Sequence, residues 1–139
     1  MDEFTKQRIA KKAEWEKRQP AYYAKFEKKN TCKDASEKED KSPVQSAGRL
    51  MLKRDMGKLS FCKLQDNSGQ VQIALKTDTI GSDEYKFLTK NLDIGDHIGI
   101  SGEIFTTKRG EKTIEVKKCI LLSKAIAPLP EKWHGLRDK

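Results

Sequence analysis

Short apolar runs separated by turn residues fill the chain from residue 44 onward, which is typical of a domain built mainly from β-strands. Residues 71–76 (VQIALK) place an apolar side chain at every second position, as a half-buried strand does. The segment 66–69 (DNSG) is a tight connection of the kind that joins hairpin strands. The pattern predicts five strands, at Ala47–Lys53, Leu59–Leu64, Val71–Lys76, His97–Phe105 and Thr113–Leu122.

One helix is predicted between the third and fourth strands. Ser82 can cap its first turn, and Tyr85, Phe87 and Leu88 are candidates for its buried side. Three strands, one helix and two strands is the order of a five-stranded Greek-key barrel, the OB-fold. A generic small β-barrel with an inserted helix would give the same pattern. We therefore predict a mainly β fold, an OB-fold barrel with an inserted helix and an N-terminal helical extension.

The N-terminal segment Glu3–Gln19 contains good helix formers without Gly or Pro, and Pro20 should end that helix. Two interpretations of this basic helix stay open: it contacts RNA backbone, or it packs weakly on its own domain. Side chains three and four residues apart form a stripe that consists of Phe4, Arg8, Lys11 and Trp15. Only Phe4 and Trp15 are apolar, so the buried stripe would be thin.

Between this helix and the strands, the sequence changes from aromatic to charged. Tyr22, Tyr23 and Phe26 are candidates to cap the domain that follows. From Lys28 to Lys41 almost nothing can be buried, which favours a flexible link. The expected division is a basic helical extension and charged linker over 1–43, followed by the barrel over 44–124.

Composition narrows the possible partners. The 139 residues carry a formal net charge of +8 and a pI of about 9.4, with 35% hydrophobic and 36% charged residues. Lys and Arg set against phosphates release condensed counterions, so this surplus favours a polyanionic partner. The alternative is that the charge serves solubility alone.

Cysteine and histidine positions exclude several other classes. Cys32, Cys62 and Cys119 are widely spaced and odd in number, which gives neither a disulfide framework nor a CxxC metal knuckle. His97 and His134 have no partner at ligand spacing, so no metal site is expected. The chain lacks an apolar run long enough to span a bilayer and lacks the apolar core of a secretory signal. A cytosolic protein with free thiols and no membrane partner is expected.

Four stretches carry a resemblance to a known family: AGRLMLKRDMGKLSF, LQDNSGQVQI, LDIGDHIGISGEIFTTKRGEKTIEV and LLSKAIAPLPEKWHGLRDK. They resemble the N-terminal, anticodon-binding domain of class II lysyl-tRNA synthetases of the bacterial type, over about two thirds of the chain. Aspartyl and asparaginyl relatives share the barrel, whereas PLPEKWHGLRDK is similar to the lysyl connector between the anticodon and catalytic domains. Residues 125–139 are therefore interpreted as that connector, while the charged segment before the first strand departs from the family pattern.

The resemblance implies an RNA partner, the anticodon stem-loop of lysine tRNA. In the full-length enzyme, ATP and magnesium serve the formation of an adenylate. None of the class II catalytic signatures follows in this chain, so we expect no cofactor, no catalytic residues and no aminoacylation by the chain alone. An excised domain and a free-standing relative both fit, and a monomer is expected for an isolated domain where the full-length enzyme would be a dimer.

Four residues match the positions at which the family binds the central anticodon base. Phe61 matches an aromatic residue that stacks on that base, and stacking is tolerant of base identity. Arg54, Gln72 and Glu111 match the positions that read the central uridine, for which they offer a donor, a donor–acceptor and an acceptor. Considered without the resemblance, Phe61 would be assigned to the core and the three polar residues to a solvated surface.

Further basic residues near the same strand ends and loops are candidates for contacts with RNA phosphates, which position RNA without reading its sequence. Some of them should instead belong to an ordinary charged rim. These candidates are Arg49, Lys53, Lys58, Lys108, Arg109 and Lys112.

Glycines and the remaining thiol are interpreted structurally. Gly57, Gly69, Gly95 and Gly110 fall at turns, and Gly48 and Gly102 should permit bends within the barrel strands. Cys62, beside Phe61, is expected to be a wall residue without a catalytic role.

Two functions from other classes compete with anticodon binding. A free-standing scaffold or regulatory module would keep the barrel for association with proteins, using the charged N-terminal arm. A general single-strand binder would take an unrelated oligonucleotide of equal length as well as it takes the anticodon loop.

Overall fold

The computed structural model describes residues 2–18 and 26–126 of the chain. The strands are longer than the apolar pattern predicts, because polar residues at their ends continue the backbone ladder. They are β1 (Pro43–Asp55), β2 (Leu59–Asp66), β3 (Gly69–Lys76), β4 (His97–Thr106) and β5 (Lys112–Ser123). The helices are α1 (Glu3–Arg18), α2 (Cys32–Ser36), α3 (Thr77–Ile80) and α4 (Ser82–Asn91).

The five strands close into a barrel in the order β1-β2-β3-β5-β4. Neighbouring strands are antiparallel except β3 and β5, which run parallel. This arrangement confirms the predicted mainly β fold with an N-terminal helix and helical residues inserted between the third and fourth strands. The barrel interior is filled by alternating aliphatic side chains such as Ile98, Ile100, Ile104, Ile114 and Val116, each at most 1% exposed.

Gly102 lies where β4 and β5 approach each other closely. The pairing of β4 with β5 shifts by one residue between Ser101 and Gly102. A Cβ atom at Gly102 would lie 2.0 Å from the carbonyl oxygen of Glu115 on the neighbouring strand. At Gly48 a Cβ atom would lie 2.5 Å from the carbonyl oxygen of Gln65. Close approach of the neighbouring backbone therefore explains both glycines, for which bends within the strands were predicted.

Replacing Gly102 by alanine should lower the free energy of unfolding by about 1–3 kcal/mol, the usual cost of overpacking a tight contact. The new methyl group cannot be accommodated unless β4 and β5 separate, because the obstructing atom is backbone. Denaturant unfolding of the Gly102→Ala variant measures the effect, with Ser101→Ala as the matched control on the same strand. Equal stability of the two variants would contradict the close approach.

The inserted helical region differs from its prediction in two respects. A short helix, α3, precedes α4 and was not predicted. Ser82 does not cap α4, because Gly81 occupies the N-cap position with φ +92° and no side chain closes the first turn. Glycine is suited to that positive φ, whereas Ser82 is already the first helical residue. Tyr85 and Leu88 are buried as predicted, and Phe87 packs against the core from a half-buried position.

The charged segment before β1 is not the flexible link that its composition predicts. Within it α2 forms, with Thr31 in a capping box with Asp34, and Cys32 and Ala35 are fully buried against the barrel. The carboxylate of Asp66, in the β2–β3 hairpin, accepts the backbone N–H of Cys32 at 2.9 Å. The hydrogen bond from Cys32 to the distant Asp66 therefore helps to hold α2 in place, although α2 has few side chains to bury.

The helix α1 packs against α4 and the loop before β4 through Arg8, Lys11 and Trp15 of the predicted stripe. Trp15 is 1% exposed, and its indole N–H donates to the carbonyl of Asn91 at 3.0 Å. Arg8 donates to the carbonyl of Ala125 at 2.8 Å, and Lys11 pairs with Asp93 at 2.9 Å. Arg8 and Lys11, two of the six basic residues of α1, thus face its own domain, which favours packing for this face of the helix. Pro20, Tyr22 and Tyr23 lie outside the described residues, whereas the ring of Phe26 lies over Gly99 of β4.

A buried ammonium group joins the end of β5 to the loop before β4. The side chain of Lys124 is fully buried, and its Nζ lies 2.6 Å from Asp96 Oδ2 and 2.7 Å from Asp93 Oδ2. The same Nζ donates to the carbonyl of Asn91 at 3.1 Å, and Asp96 Oδ1 accepts the N–H of Ala125 at 2.9 Å. Three acceptors therefore surround one charge at the point where the chain leaves the barrel.

No helix among the described residues is long and apolar enough to cross a membrane. The three cysteines are free and buried.

Candidate nucleic-acid interface

A groove of about 640 Å³ crosses the outer surface of the barrel between β1 and the β4–β5 hairpin. Alternation along each strand decides which side chains enter it, because residues two apart share one face of a strand. Its lining combines apolar, aromatic, basic and hydrogen-bonding groups: Leu52, Arg54, Met56, Leu59, Phe61, Lys63, Gln72, Lys76, Phe105, Thr107, Lys108, Arg109 and Glu111. We call this surface the aromatic groove.

Phe61 faces the aromatic groove and not the barrel interior. Its neighbours along β2, Ser60 and Cys62, are buried at 0% and 1% exposure, whereas Phe61 is half-buried. Burial raises the pKa of the Cys62 thiol to about 12, which keeps it protonated and inert as a nucleophile. The core prediction for Phe61 in isolation is therefore wrong, and the interpretation of Cys62 as a wall residue fits its burial.

The structure brings Arg54, Gln72 and Glu111 into the same groove as Phe61. Arg54 is the direct pairing partner of Phe61 across β1 and β2. Gln72 lies one strand further on, paired with Lys63 on β2 and with Thr113 on β5. Residues from four different places in the sequence thus meet at one surface.

Hydrogen bonds hold the acidic end of the groove in place. The N–H of Glu111 donates to Thr107 Oγ1 at 3.1 Å, and the N–H of Thr107 donates to the carbonyl of Glu111 at 3.0 Å. Gln72 Nε2 donates to Thr113 Oγ1 at 3.0 Å, and that hydroxyl donates to the carbonyl of Glu111 at 3.1 Å. Gln72 and Glu111 are therefore connected through Thr113 and oriented before any ligand arrives.

The carboxylate of Glu111 pairs with Lys63, whose Nζ lies 2.5 Å from Oε2. Within the described part of the chain, no hydrogen bond reaches the second oxygen, Oε1, which remains able to accept one. The Lys63 charge also offsets a carboxylate that would otherwise repel phosphate. Lys63 was missed at the sequence level, although its spacing of two residues from Phe61 places both on one face of β2.

Of the six basic residues predicted to contact phosphate, Lys108 and Arg109 line the aromatic groove as exposed side chains of the β4–β5 turn. The other four do not line it. Lys58 is exposed in the β1–β2 turn, and Lys112 is half-buried and pairs with Asp40 at 3.3 Å.

Lys53 lies outside the groove because consecutive residues of a strand face opposite sides, and Arg49 lies on β1 before the irregularity between Leu50 and Leu52. Lys53 projects to the opposite face from Arg54, where its Nζ donates to the carbonyl of Thr89 at 2.6 Å. These two positions therefore give no support to the grouping of all six residues around one site.

Arg49 instead lines a second groove of about 580 Å³, together with Lys28, Asp66 and His97. Burial lowers the pKa of His97, and the neighbouring cations Arg49 and Lys28 lower it further. Burial alone would raise the pKa of Asp66, but hydrogen bonds from Lys28, Ser68 and Cys32 outweigh it and hold the pKa well below its ordinary value. Asp66 thus serves as an anchor for α2 and the hairpin.

Two further groove residues were missed by sequence reasoning. Phe105 faces outward on β4, next to the buried Ile104, and Lys76 lies with its Nζ 4.2 Å from the centroid of the Phe105 ring. The apolar floor includes Leu52 and Met56, which are 39% and 48% exposed. Exposed apolar side chains, two aromatic rings and several cations are suited to a single-stranded nucleic acid. Its flat bases can stack on the rings, and its charged phosphates can approach the cations. Among the described residues, no group of three His, Cys, Asp or Glu side chains could hold a metal ion.

Comparisons with known proteins identify the family of the barrel. Residues 44–122 match the tRNA anti-codon family, described as an OB-fold nucleic acid binding domain. The chain is 50% identical over 96 residues to a lysine–tRNA ligase of Aquifex aeolicus, covering 69% of this chain and 16% of that protein.

Similarity to a lysine–tRNA ligase of Carboxydothermus hydrogenoformans extends over 99% of this chain and 29% of that protein, at 42% identity. The aligned region therefore includes the charged segment before β1, which was expected to depart from the family pattern. The chain spans less than a third of the length of these relatives. Among solved structures, asparaginyl-tRNA synthetase from Pyrococcus horikoshii has the same fold over 79% of this chain and 26% of that one, with a TM-score of 0.66 at 21% identity.

Proposed function

This chain belongs to the tRNA anti-codon family of OB-fold nucleic acid binding domains, and we propose that it binds the anticodon loop of lysine tRNA in the aromatic groove. The chain would serve as the anticodon-binding domain of a lysine–tRNA ligase, the protein named in its curated relatives. The observation that carries this proposal is the convergence of Phe61, Arg54, Gln72 and Glu111 on one groove.

Stacking on Phe61 would supply affinity for an unpaired base. Phe61 is half-buried and lines the groove, so part of its ring is accessible to a ligand. Base–aromatic stacking contributes roughly 1–3 kcal/mol per base and depends little on which base is present. Phe61 therefore accounts for binding of a single strand but not for discrimination between bases.

Discrimination would come from the polar groups around that ring. Uracil has two carbonyl acceptors and one N–H donor, and the exposed guanidinium of Arg54 can donate to a carbonyl. The free oxygen of the Glu111 carboxylate can accept the uracil N–H, while the Gln72 amide can donate and accept. Cytosine lacks the N3–H and presents an amine in place of one carbonyl, so the same groups would be poorly paired with it.

Contacts with phosphates would add affinity that is sensitive to salt. Lys108 and Arg109 are exposed at the rim of the groove, where they can approach the backbone of a strand whose bases enter it. Each phosphate that a cation neutralises releases counterions, so binding should weaken as salt increases.

The test of the proposal is titration of the chain with a lysine anticodon stem-loop and with a copy that carries cytidine at the central base. The copy should bind about tenfold more weakly, because a poorly satisfied polar group costs about 1–3 kcal/mol. Fluorescence anisotropy at fixed salt measures both affinities. Arg54→Gln should reduce the difference between the two loops, whereas Lys58→Gln, in the β1–β2 turn, should leave it unchanged.

Three results are distinguishable. Preference for uridine that depends on Arg54 supports the proposal. Equal binding of both loops and of an unrelated oligonucleotide of the same length would identify a general single-strand binder. Absence of binding to every RNA would remove the proposed function and leave a barrel that serves another partner.

A further inference from the structure

The aromatic groove contains a second phenyl ring, Phe105, which has no role in the proposed binding of one base on Phe61. Phe105 is half-buried near the end of β4 and lines the groove across from β1 and β2. The core positions of this strand are filled by Ile98, Ile100 and Ile104, which are at most 1% exposed. Phe105 is therefore an outward-facing aromatic residue and not a member of the core.

A cation already covers this ring. Lys76, the last residue of β3, reaches past β5 to place its Nζ 4.2 Å from the centroid of Phe105. Its second partner is Glu115, whose Oε1 lies 3.9 Å from the same Nζ. A cation over an aromatic face in an open groove contributes roughly 0.5–1 kcal/mol, which is small compared with stacking of a base. The Lys76 side chain can thus give way to a base and move its charge to the adjoining phosphate.

The size of the groove is consistent with more than one base. About 640 Å³ is several times the volume of a single pyrimidine ring, and the lining extends from Arg54 on β1 to Phe105 on β4. Single-strand binding surfaces on OB-folds stack successive bases on successive aromatic side chains. Phe61 and Phe105 lie on different strands of the same groove, which is the arrangement that such stacking needs.

We propose that Phe105 and Lys76 form a second nucleobase subsite, which stacks a base flanking the one that lies on Phe61. This inference rests on the proposed function, since it assigns a second contact to the same RNA. The subsite selects an unpaired base through its flat face and not through its edge, because a phenyl ring and an ammonium group carry no pattern of donors and acceptors that is specific to one base.

The experiment compares Phe105→Leu, Phe105→Tyr and Phe61→Leu in the full chain. Leucine keeps an apolar side chain but removes the flat ring, and tyrosine keeps the ring. Phe87→Leu is the matched control, because Phe87 is also half-buried and lies under a cation, with the Arg18 guanidinium 4.0 Å from its centroid, but outside the groove. Each variant is titrated with the lysine anticodon stem-loop and with loops that lack a base at one anticodon position.

On the intact loop, Phe105→Leu should weaken binding roughly 5- to 30-fold, since displacement of Lys76 offsets part of the stacking. Phe105→Tyr and Phe87→Leu should bind as the unmodified chain does. On a loop without the flanking base, the difference between Phe105→Leu and the unmodified chain should disappear. On a loop without the central base, the effect of Phe61→Leu should disappear instead.

Two results would overturn the subsite while leaving the proposed function intact. In the first, Phe61→Leu weakens binding and Phe105→Leu does not. In the second, the effect of Phe105→Leu persists at full size on every loop that lacks a base. This would mean that Phe105 maintains the shape of the groove without stacking on a base. If neither Phe61→Leu nor Phe105→Leu alters affinity for the intact loop, the proposed function itself fails.

Discussion

Replacing Lys124 by methionine should lower the free energy of unfolding by about 3–5 kcal/mol, the cost of removing one partner from a buried ion pair. The Nζ atom of Lys124 lies 2.6 Å from Asp96 and 2.7 Å from Asp93, and the Lys124 and Asp96 side chains are both 0% exposed. Methionine has a similar volume and flexibility, so the loss comes from the uncompensated carboxylate and not from a cavity. For a small domain this is a large part of the total stability.

The two carboxylates should not be affected equally. Asp93 retains Arg8 and Lys11 as partners, at 3.4 Å and 2.9 Å. Asp96 retains the N–H groups of Asp93 and Ala125, but within residues 2–18 and 26–126 it has no other cation. Adding Asp96→Asn to Lys124→Met should therefore restore part of the lost stability by removing the unpaired charge. Chemical denaturation of the three proteins measures both effects.

Lys118→Met is the matched control for this prediction, because Lys118 is an exposed residue of β5 only a few positions before Lys124. A surface substitution of this kind should change stability by no more than about 0.5 kcal/mol. Equal stability of Lys118→Met and Lys124→Met would show that water or a rearranged side chain satisfies Asp96 without the ammonium group.

Local alternation predicted the barrel, because each strand needs only its own apolar side chains to indicate which face is buried. It could not predict which residues face outward where the register shifts. On β5 the shift leaves both Lys117 and Lys118 exposed and makes Cys119 and Leu121 the buried residues after Val116, and such a shift depends on the neighbouring strand. The irregularity in β1 similarly lets Leu52 and Arg54 face the groove, although they lie two and four residues after the buried Leu50.

The hydrophobic pattern also could not predict features that depend on contacts between residues far apart in the sequence. Helix α2 has only Cys32 and Ala35 to bury, and its first turn is held by Asp66, more than thirty residues away. The burial of Lys124 depends on acceptors contributed by residues 91–96. Neither segment has a periodicity that would reveal its environment.

The four residues around the proposed base site were identified from resemblance and not from pattern, and the fold explains why pattern could not find them. Arg54 and Phe61 are brought together by the pairing of β1 with β2, and Gln72 and Glu111 are connected through Thr113 of β5. A surface residue has no local signal of its role when its partners lie on other strands. Their roles in RNA binding remain predictions that the titrations address.

Replacing Phe61 by alanine should weaken binding of the lysine anticodon stem-loop by roughly 30- to 150-fold, the upper part of the range for loss of one stacked base. The ring lies in the same groove as the other three proposed contacts, so its removal also withdraws the surface that would hold the base against Arg54 and Gln72. Phe61→Tyr keeps the flat ring and should retain affinity. Circular dichroism establishes that both variants are folded before they are titrated.

The salt dependence of binding distinguishes stacking from charge. Phe61 neutralises no phosphate, so Phe61→Ala should lower affinity by the same factor at every salt concentration and leave the slope of log K against log salt unchanged. Arg109→Gln should instead reduce that slope by about 0.7 if the side chain contacts one phosphate of a single strand. A change of slope with Phe61→Ala would mean that the ring acts by positioning nearby cations, and affinity equal to that of the unmodified chain would mean that no base lies on it.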